Sequence, residues 1–548
     1  MLAVRRPRSS TLSLYIVFSV GLLSLPAAAW RSNGVQSATT PQTASDGPGI
    51  RVNPHPHQQG NAAAGKDVFR FETFGNEGFW TDAMRMPQGM MAAKITPIQL
   101  LETGLQMDID AIDPAMRTII EAEAKTDLSA QNAPVLNDPK TTVALVNANA
   151  IVGMVPKDTN GDKKIDIMAG DKVGVACTIC HTITDKSVYN MPLGGSIGRR
   201  IDGPAALTLN VGKLLATAAN SRAYYPNLQL TFKGVSTGRA PSGLGPDSTE
   251  AEVDAYLSNP AFFPVGTFDE TQDGIGNSVK NTPLFRQDLA APYGTAGEFA
   301  ILDDIGNASY TTNLDPTTLV TPEGRAFLEA KAGPAGKQMA DEYAKILKDT
   351  GVTGFPYVKA SMTGKMAPSS PVGRRVDNQK LLDMNAYLDA LPAPRGAQVD
   401  VEMATRGREA FRTQCTQCHN VDQSMFVPPT LVDLKTLWPG YTPVPAGTRG
   451  DGKLSPVLNS PGNFDDKMIV VDASDRGEKR GNALPLLLDL ARTTIFLHDA
   501  SVQSLDDLFD PRRGDTAPHP FYVRDAAARK DLTAFLRGLE TSGARPAR

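Results

Sequence analysis

Apolar positions recur at helical spacing in two stretches that lie far apart in the chain. In residues 381–391 (LLDMNAYLDAL) and 532–539 (LTAFLRGL), apolar side chains return every three or four positions, which predicts two amphipathic helices. The first stretch runs into the segment PAPRG at residues 392–396, whose proline and glycine predict a linker. We therefore expect one module to close near residue 391 and another near residue 539.

A continuous apolar run, Leu12–Leu25, follows a basic start at residues 5–8. Three alanines at residues 27–29 then offer a small-residue cleavage site, and together these features predict a secretory signal peptide over residues 1–29. The alternative is an uncleaved membrane anchor, although such a run is short for a bilayer span. No later run is long enough to cross a bilayer, so we expect no stable membrane span and a periplasmic or secreted protein.

Composition excludes several classes of protein. The chain has 548 residues, of which 41 % are hydrophobic and 21 % charged, so a disordered or fibrous chain is excluded. The 48 glycines and 41 prolines predict many loops, and the polar stretch at residues 30–63 predicts a mobile N-terminal tail. The net charge is −4 without a long basic block, which argues against nucleic acid as a partner.

All four cysteines fall into two C-x-x-C-H motifs. Cys177 and Cys180 precede His181, and Cys415 and Cys418 precede His419. Two thiols at this spacing can form thioethers with the two vinyl groups of one porphyrin, and the next residue then supplies an axial imidazole to the iron. The motifs therefore predict two covalently bound haem c groups, here called haem one (Cys177, Cys180) and haem two (Cys415, Cys418).

Other cysteine sites explain the motifs less well. A thioredoxin-like redox pair does not need the histidine and would not be expected twice in an exported chain without a βαβ context. A zinc site built from two cysteine pairs would not need a histidine beside each pair. Export agrees with the haem prediction, because haem c is attached after export.

The sequence around each motif predicts a mainly α fold with two haem domains. Gly407 and Phe411 stand before Cys415 in a G-x-x-x-F pattern that resembles the opening helix of cytochrome c domains. Gly65 and Phe69 repeat the pattern, but 112 residues ahead of their cysteine. They belong either to the opening helix of the first haem domain, followed by a long insertion, or to a separate N-terminal lobe.

The predicted organisation therefore has an N-terminal extension and long, loop-rich insertions. We expect an N-terminal lobe plus a first cytochrome c-like haem domain at residues 64–391, a linker at 392–400 and a second cytochrome c-like haem domain at 401–541.

A possible calcium loop precedes the first motif. Asp158, Asn160 and Asp162 occupy positions 1, 3 and 5 of a loop that resembles the front of an EF-hand. Position 6 is Lys163 rather than glycine, and position 12 is Ala169 rather than glutamate. The alternative is a polar turn without a metal.

The C-terminal stretch from residue 484 to 539 resembles the bacterial di-haem cytochrome c peroxidase and MauG superfamily. The run at residues 496–502 (FLHDASV) and the following Leu505 resemble that family's F-x-H-D-G-S-x-x-[ST]-L pattern. The usual peroxidase lead-in to the first motif is absent, and the motifs lie 238 residues apart. The long spacing is similar to the larger rubber-oxygenase-like members, which use dioxygen at one haem.

The resemblance implies an oxidoreductase with two unlike haems. Haem one would meet peroxide or dioxygen, haem two would transfer electrons, and a small redox protein or a quinone-linked protein would be the partner. Relatives of the rubber-oxygenase kind ligate the second iron by a histidine shortly before the closing helix, which corresponds to His519, with His498 as the alternative. Methionines such as Met191, Met425 and Met468 are further candidate ligands. With both irons six-coordinate, the protein would instead be a non-catalytic electron carrier.

Overall fold

The computed structural model describes residues 59–228, 244–260, 263–269, 278–287, 293, 301–367, 370, 372–415, 419, 430–433, 467–470, 482–483, 487–497, 500, 502–514, 519 and 521–539. The predicted signal peptide at 1–29 and most of the predicted tail at 30–63 lie outside these residues. Within them, no helix is both long and apolar enough to span a bilayer.

Helices dominate the described residues, which confirms the prediction of a mainly α chain. Many of them begin at a side chain that caps free backbone N–H groups. Asp113, for example, accepts from Ala115 and Met116 while Pro114 takes the first helical position. The α-helices are α1 (Ala62–Phe71), α2 (Met86–Ala92), α3 (Pro97–Glu102), α4 (Pro114–Glu123), α5 (Pro139–Asn147), α6 (Thr178–His181), α7 (Val211–Leu215), α8 (Glu250–Ser258), α9 (Leu302–Ala308), α10 (Pro322–Ala332), α11 (Pro334–Asp349), α12 (Asn378–Ala390), α13 (Val401–Gln414), α14 (Leu505–Leu508) and α15 (Ala526–Arg537).

The strands are short and form small separate sheets. One three-stranded sheet has the order β1-β6-β5, another has the order β12-β13-β14, and β2–β3, β4–β7, β8–β9 and β10–β11 pair as antiparallel ribbons. The strands are β1 (Met107–Asp108), β2 (Met154–Lys157), β3 (Lys172–Val175), β4 (Thr182–Thr184), β5 (Tyr189–Asn190), β6 (Ser196–Gly198), β7 (Arg200–Asp202), β8 (Thr267–Asp269), β9 (Ser278–Lys280), β10 (Met362–Thr363), β11 (Arg374–Arg375), β12 (Thr430–Asp433), β13 (Lys467–Val470) and β14 (Asn482–Ala483).

The first G-x-x-x-F segment lies on α1, which packs across α12. A Cβ atom built on Gly65 would lie only 2.9 Å from the backbone nitrogen of Met384 and closer still to the carbonyl of Asp383. Glycine is therefore needed where the two backbones meet. Whether α1 opens the first haem domain or belongs to a separate N-terminal lobe stays a prediction.

The second G-x-x-x-F segment lies on α13, which packs across α15 in the same way. A Cβ atom on Gly407 would lie 2.5 Å from the carbonyl carbon of Asp531 and 2.8 Å from Cβ of Phe535. Phe411 is buried and contacts the Phe535 ring at 5.4 Å. Both predicted closing helices are thus confirmed, and each crosses a helix that carries a G-x-x-x-F pattern.

The buried apolar residues form three main clusters. The largest lies within residues 79–372 and is built from α2 to α5, α7, α8, α10 and α11 with segments between them. A second joins α1, α9 and α12 and contacts Cys177. A third joins α13, α14 and α15 and contacts Cys415. Each cysteine motif is therefore attached to the helix pair that carries its own G-x-x-x-F segment.

Candidate functional site

The first C-x-x-C-H motif forms a single helical turn, α6, between β3 and β4. The backbone N–H of His181 donates to the carbonyl of Cys177 at 3.2 Å, which closes the turn. The turn is held from outside, because Ala206 and Gly203 donate to the carbonyls of Cys180 and His181, both at 2.8 Å. Neither Cys177 nor Cys180 forms a disulfide. This tight turn puts both thiols beside the histidine, as attachment to one porphyrin requires.

The His181 ring is oriented by a backbone carbonyl from a distant segment. Its Nδ1 lies 2.8 Å from the carbonyl oxygen of Thr282, so the neutral ring donates from Nδ1 and leaves Nε2 as the available ligand. Burial lowers the pKa of His181 to about 4, and the Thr282 carbonyl offsets part of that effect. An imidazole held neutral and fixed through its other nitrogen fits the axial ligand of a haem iron.

Cys177 contacts a tyrosine that the sequence did not single out. Its Sγ lies 3.3 Å from the Tyr310 hydroxyl, which itself donates to the carbonyl of Glu72 at 3.0 Å. Burial raises the pKa of the Cys177 thiol, so the protonated thiol can donate to the tyrosine oxygen. Met384 of α12 completes the surroundings, with its Sδ 3.9 Å from Sγ.

Cys180 lies in the wall of a small apolar cavity of about 50 Å³. The cavity is lined by Trp80, Met86, Pro87, Met154, Val173, Val175, Ile179, Cys180, Leu209, Val211, Leu214, Leu215, Phe268 and Leu314. Burial also raises the pKa of Cys180 to about 12. The Cys180 side chain is therefore surrounded mainly by apolar groups.

Trp80 is the exception in this apolar lining. Its indole Nε1 is buried and has no hydrogen-bond partner. An N–H left unpaired in this way costs about 1–3 kcal/mol. No histidine lines the cavity among the described residues.

Two π-helical turns supply the aromatic residues next to the cysteines. The first turn, Phe79–Ala83, carries Trp80, which lines the same cavity as Cys180. The second turn, Ser309–Asn313, carries Tyr310, which contacts Cys177. Turns of this kind are rare and occur frequently at functional sites. Sequence analysis missed both aromatic residues because a π turn has no sequence signal and because both lie about a hundred residues or more from the motif.

The second motif brings two histidines together. Cys415 follows α13, and the backbone N–H of His419 donates to its carbonyl at 2.9 Å. The ring centre of His519 lies 6.3 Å from that of His419, with the planes tilted by 48°. Cys418 and the rival ligand His498 lie outside the described residues. The structure thus places the His519 ring near the His419 ring, although the two residues are a hundred positions apart in the sequence.

The distance between the two rings fits a metal between them. Bonds from imidazole nitrogen to a first-row metal such as zinc are about 2.0–2.1 Å, and the ring centre lies about 1.1 Å beyond the nitrogen, so two axial imidazoles have centres about 6.3 Å apart. The Nδ1 atoms of His419 and His519 are buried without hydrogen-bond partners. His419 and His519 are therefore the residues that would hold an iron at the second motif.

Both rings are held in the neutral form that binds iron. Burial lowers the pKa of His419 to about 4. Burial lowers the pKa of His519 to about 3, with further contributions from His419 and Arg513. The rings of Phe509 and Phe521 lie 6.2 and 6.3 Å from the His519 ring and keep it in place.

The predicted calcium loop is an organised turn. Asp158 accepts from Gly161 at 2.6 Å and from Lys163 at 2.9 Å, while the side chains of Asn160 and Asp162 each accept from a nearby backbone N–H. Among the described residues, no group of three or more His, Cys, Asp or Glu side chains is arranged to hold a metal ion. Calcium at Asp158, Asn160 and Asp162 stays a prediction.

A buried carboxylate that the sequence did not single out stabilises this loop. Asp171 is 2 % exposed and accepts from the backbone of Thr159 and Asp166, both at 2.9 Å. These hydrogen bonds lower its pKa. The loop is thus closed by protein contacts at its far end, a short distance before Cys177.

The candidate ligands were Met191 for haem one and Met425 or Met468 for haem two. Met191 lies in the turn between β5 and β6, where its backbone N–H donates to Gly195 at 3.0 Å, and it is not in the wall of the cavity at Cys180. Met425 lies outside the described residues, and Met468 is a residue of β13. The structure instead places Met86 and Met154 in the cavity wall.

Comparisons with known proteins do not assign this chain to a family. No protein-family model matches it, and no curated protein matches it. A solved structure of hydrazine synthase from Kuenenia stuttgartiensis, pressurised with xenon, aligns with 58 % of this chain and 88 % of its own, at 13 % identity and a TM-score of 0.27. A similarity of that size carries no argument about fold or function.

Proposed function

We propose that this chain is an exported di-haem c-type cytochrome that acts as an oxidoreductase. In this proposal, Cys177 and Cys180 hold haem one, where peroxide or dioxygen enters. Cys415 and Cys418 hold haem two, which transfers electrons. The resemblance to the di-haem peroxidase and MauG superfamily, with its larger rubber-oxygenase-like members, points in the same direction.

The observation that carries the proposal is the difference between the two histidine sites. His419 faces a second imidazole, His519, at a ring distance of 6.3 Å. His181 belongs to a motif whose cavity is lined by apolar residues and Trp80, without a histidine among the described residues. Two imidazoles leave no axial position for a substrate, which suits electron transfer, whereas a single imidazole leaves a position open.

The protein's own contribution at each site follows from its contacts. Haem supplies a redox-active iron when it is bound. Thr282 fixes the orientation of His181 through Nδ1. Apolar side chains surround Cys180 on the cavity side. At the second site, burial keeps His419 and His519 neutral and therefore able to bind iron.

The expected partner is a small redox protein or a quinone-linked electron donor or acceptor. The predicted signal peptide at residues 1–29 supports a periplasmic or secreted location, where haem c is attached. Nucleic acid is not an expected partner because the net charge is −4 and no long basic block is present.

A non-catalytic electron carrier is the second candidate. Met86 and Met154 both line the cavity at Cys180, and a thioether sulfur from either one is a chemically suitable sixth ligand for a haem iron. Thr217 donates to Met86 Sδ at 3.3 Å, so that sulfur is engaged in the present structure. In the carrier, both irons would be six-coordinate and neither would bind peroxide or dioxygen.

Intact mass and turnover test the proposal together. The purified periplasmic protein should carry two covalent haems, a variant with Cys177→Ser and Cys180→Ser should carry one, and the matching variant with Cys415→Ser and Cys418→Ser should also carry one. The parent should oxidise a reduced electron donor with hydrogen peroxide or dioxygen, and the first variant should not. Haem that extracts into acidic acetone would contradict the proposal, and two covalent haems without turnover would favour the carrier.

A further inference from the structure

The carbonyl that orients the His181 ring belongs to a segment without helix or strand, residues 281–286. Thr282 supplies this carbonyl, and its oxygen lies 2.8 Å from Nδ1 of His181. Thr282 itself is exposed, so the packing of its own side chain does not fix the carbonyl. The hydrogen bond to His181 therefore depends on the residues on either side of Thr282.

The residue before Thr282 is held beside the C-terminal part of the chain. Asn281 is 5 % exposed, and its backbone N–H donates to the carbonyl of Gly266 at 2.9 Å. Ile495 packs closely on this glycine, since a Cβ atom built on Gly266 would lie 2.7 Å from Cδ1 of Ile495. Ile495 directly precedes a member of the third apolar cluster, which contacts the second cysteine motif. One end of the segment is thus supported from the surroundings of that motif.

The other end of the segment packs against the C-terminal part of the chain directly. Phe285 is 1 % exposed and is buried together with Leu488. The Phe285 ring also lies against the backbone of Gly203, whose N–H donates to the carbonyl of His181 at 2.8 Å. Leu488 therefore supports a side chain that touches the first cysteine motif's own hydrogen-bond partner.

We propose that Leu488 and Ile495 position the axial ligand of haem one from within the part of the chain that holds haem two. They keep residues 281–286 in place, and this segment keeps the Thr282 carbonyl on Nδ1 of His181. The inference rests on the proposed function, because it concerns an iron bound by His181. It adds a physical link through which the surroundings of haem two affect the electronic properties of haem one.

The link predicts a change of redox potential with a definite sign. A carbonyl that accepts from the Nδ1–H of an axial histidine increases the basicity of the other ring nitrogen, which stabilises ferric iron. When this hydrogen bond weakens, ferric iron is stabilised less and the potential of the haem rises. Leu488→Ala removes the apolar support of Phe285, so it should weaken the hydrogen bond between Thr282 and His181.

Redox titration of the purified holoprotein, followed by absorption spectroscopy, measures the potentials of both haems. The variant with Cys177→Ser and Cys180→Ser retains only haem two and so identifies its potential. Leu490→Ala is the matched control for Leu488→Ala, because Leu490 is similarly buried, at 8 % against 7 % exposed, but belongs to the third apolar cluster. Leu488→Met conserves the side-chain volume and tests for rescue. Circular dichroism establishes that each variant has folded.

We expect Leu488→Ala to raise the potential of haem one and to leave that of haem two unchanged. Leu490→Ala and Leu488→Met should both keep the parent potential at haem one. Ile495→Val removes one methyl group from the other contact and should raise the potential of haem one by less; it replaces Leu488→Ala if that variant does not fold.

Two results would overturn the link while leaving the proposed function intact. One is a haem one potential that stays at the parent value in both Leu488→Ala and Ile495→Val. The other is an equal rise in Leu490→Ala, which would indicate general loosening rather than support of His181. A parent protein without haem on Cys177 and Cys180 would overturn both the link and the proposed function.

Discussion

Replacing Gly407 by alanine should destabilise the second helix pair. The new Cβ would lie 2.5 Å from the carbonyl carbon of Asp531 and 2.8 Å from Cβ of Phe535, whereas ordinary contacts are 3.4–4 Å. The two helices must therefore separate by about 1 Å, since a backbone carbonyl cannot rotate away. Overpacking of this kind costs about 1–3 kcal/mol, and the severity of the overlap places this site near the upper end. The better helix propensity of alanine offsets about 1 kcal/mol of this cost.

The expected net loss is therefore about 2 kcal/mol in the free energy of unfolding. Urea titration followed by circular dichroism measures it, with Arg408→Ala, an exposed neighbour on α13, as the control that should change stability by less than about 0.5 kcal/mol. Gly65→Ala should behave like Gly407→Ala, because α1 crosses α12 with a similar overlap. If Gly407→Ala were as stable as the parent, the close crossing of α13 and α15 would be refuted.

Three further predictions concern the calcium loop, a raised carboxyl pKa and a buried ion pair. If the loop at residues 158–166 holds calcium, a chelator should lower the thermal unfolding temperature and added calcium should restore it. An unchanged unfolding temperature would favour the alternative, a polar turn without a metal. Burial raises the pKa of Asp254 to about 6, above its ordinary 3.8, so the folded state binds this proton more tightly and stability should increase as pH falls from 7 towards 4. In Asp254→Asn, the thermal unfolding temperature should rise less as pH falls. The same dependence on pH in the parent and the variant would disprove the raised pKa of Asp254. Arg375 pairs with the buried Asp303 and with Asp304. Replacing Arg375 by methionine should lower the free energy of unfolding, measured by urea titration, by about 3–5 kcal/mol. A loss below about 1 kcal/mol would contradict the buried pairing.

Local sequence patterns predicted the helices that lie next to the two cysteine motifs. The helical spacing at residues 381–391 and 532–539 identified α12 and α15, because periodic burial of one face leaves a periodic pattern in the sequence. The G-x-x-x-F segments identified the two helices that cross them, because only glycine allows the backbones to approach closely. The resemblance to rubber-oxygenase-like relatives implied His519, and the structure places its ring centre 6.3 Å from that of His419.

The residues around the first C-x-x-C-H motif could not be predicted in this way. Thr282 acts on His181 through its backbone carbonyl, and a carbonyl is present at every position of a sequence. Trp80 and Tyr310 lie on π turns, which have no sequence signal, and both are about a hundred residues or more from the motif. Asp171 stabilises the loop that precedes the first motif by accepting from the backbone of Thr159. It does not occupy an EF-hand ligand position, so comparison with the EF-hand pattern does not identify it.

The central claim, that the two haems are ligated differently, is tested most directly by low-temperature electron paramagnetic resonance of the ferric protein and its His519→Ala variant. The parent should show a low-spin signal from haem two, and the variant should lose that signal in favour of a high-spin signal or one from a new ligand. His498→Ala, which removes the other histidine candidate, should leave the spectrum unchanged. A His519→Ala spectrum identical to that of the parent, or a change confined to His498→Ala, would contradict the assignment of His519 to the second iron.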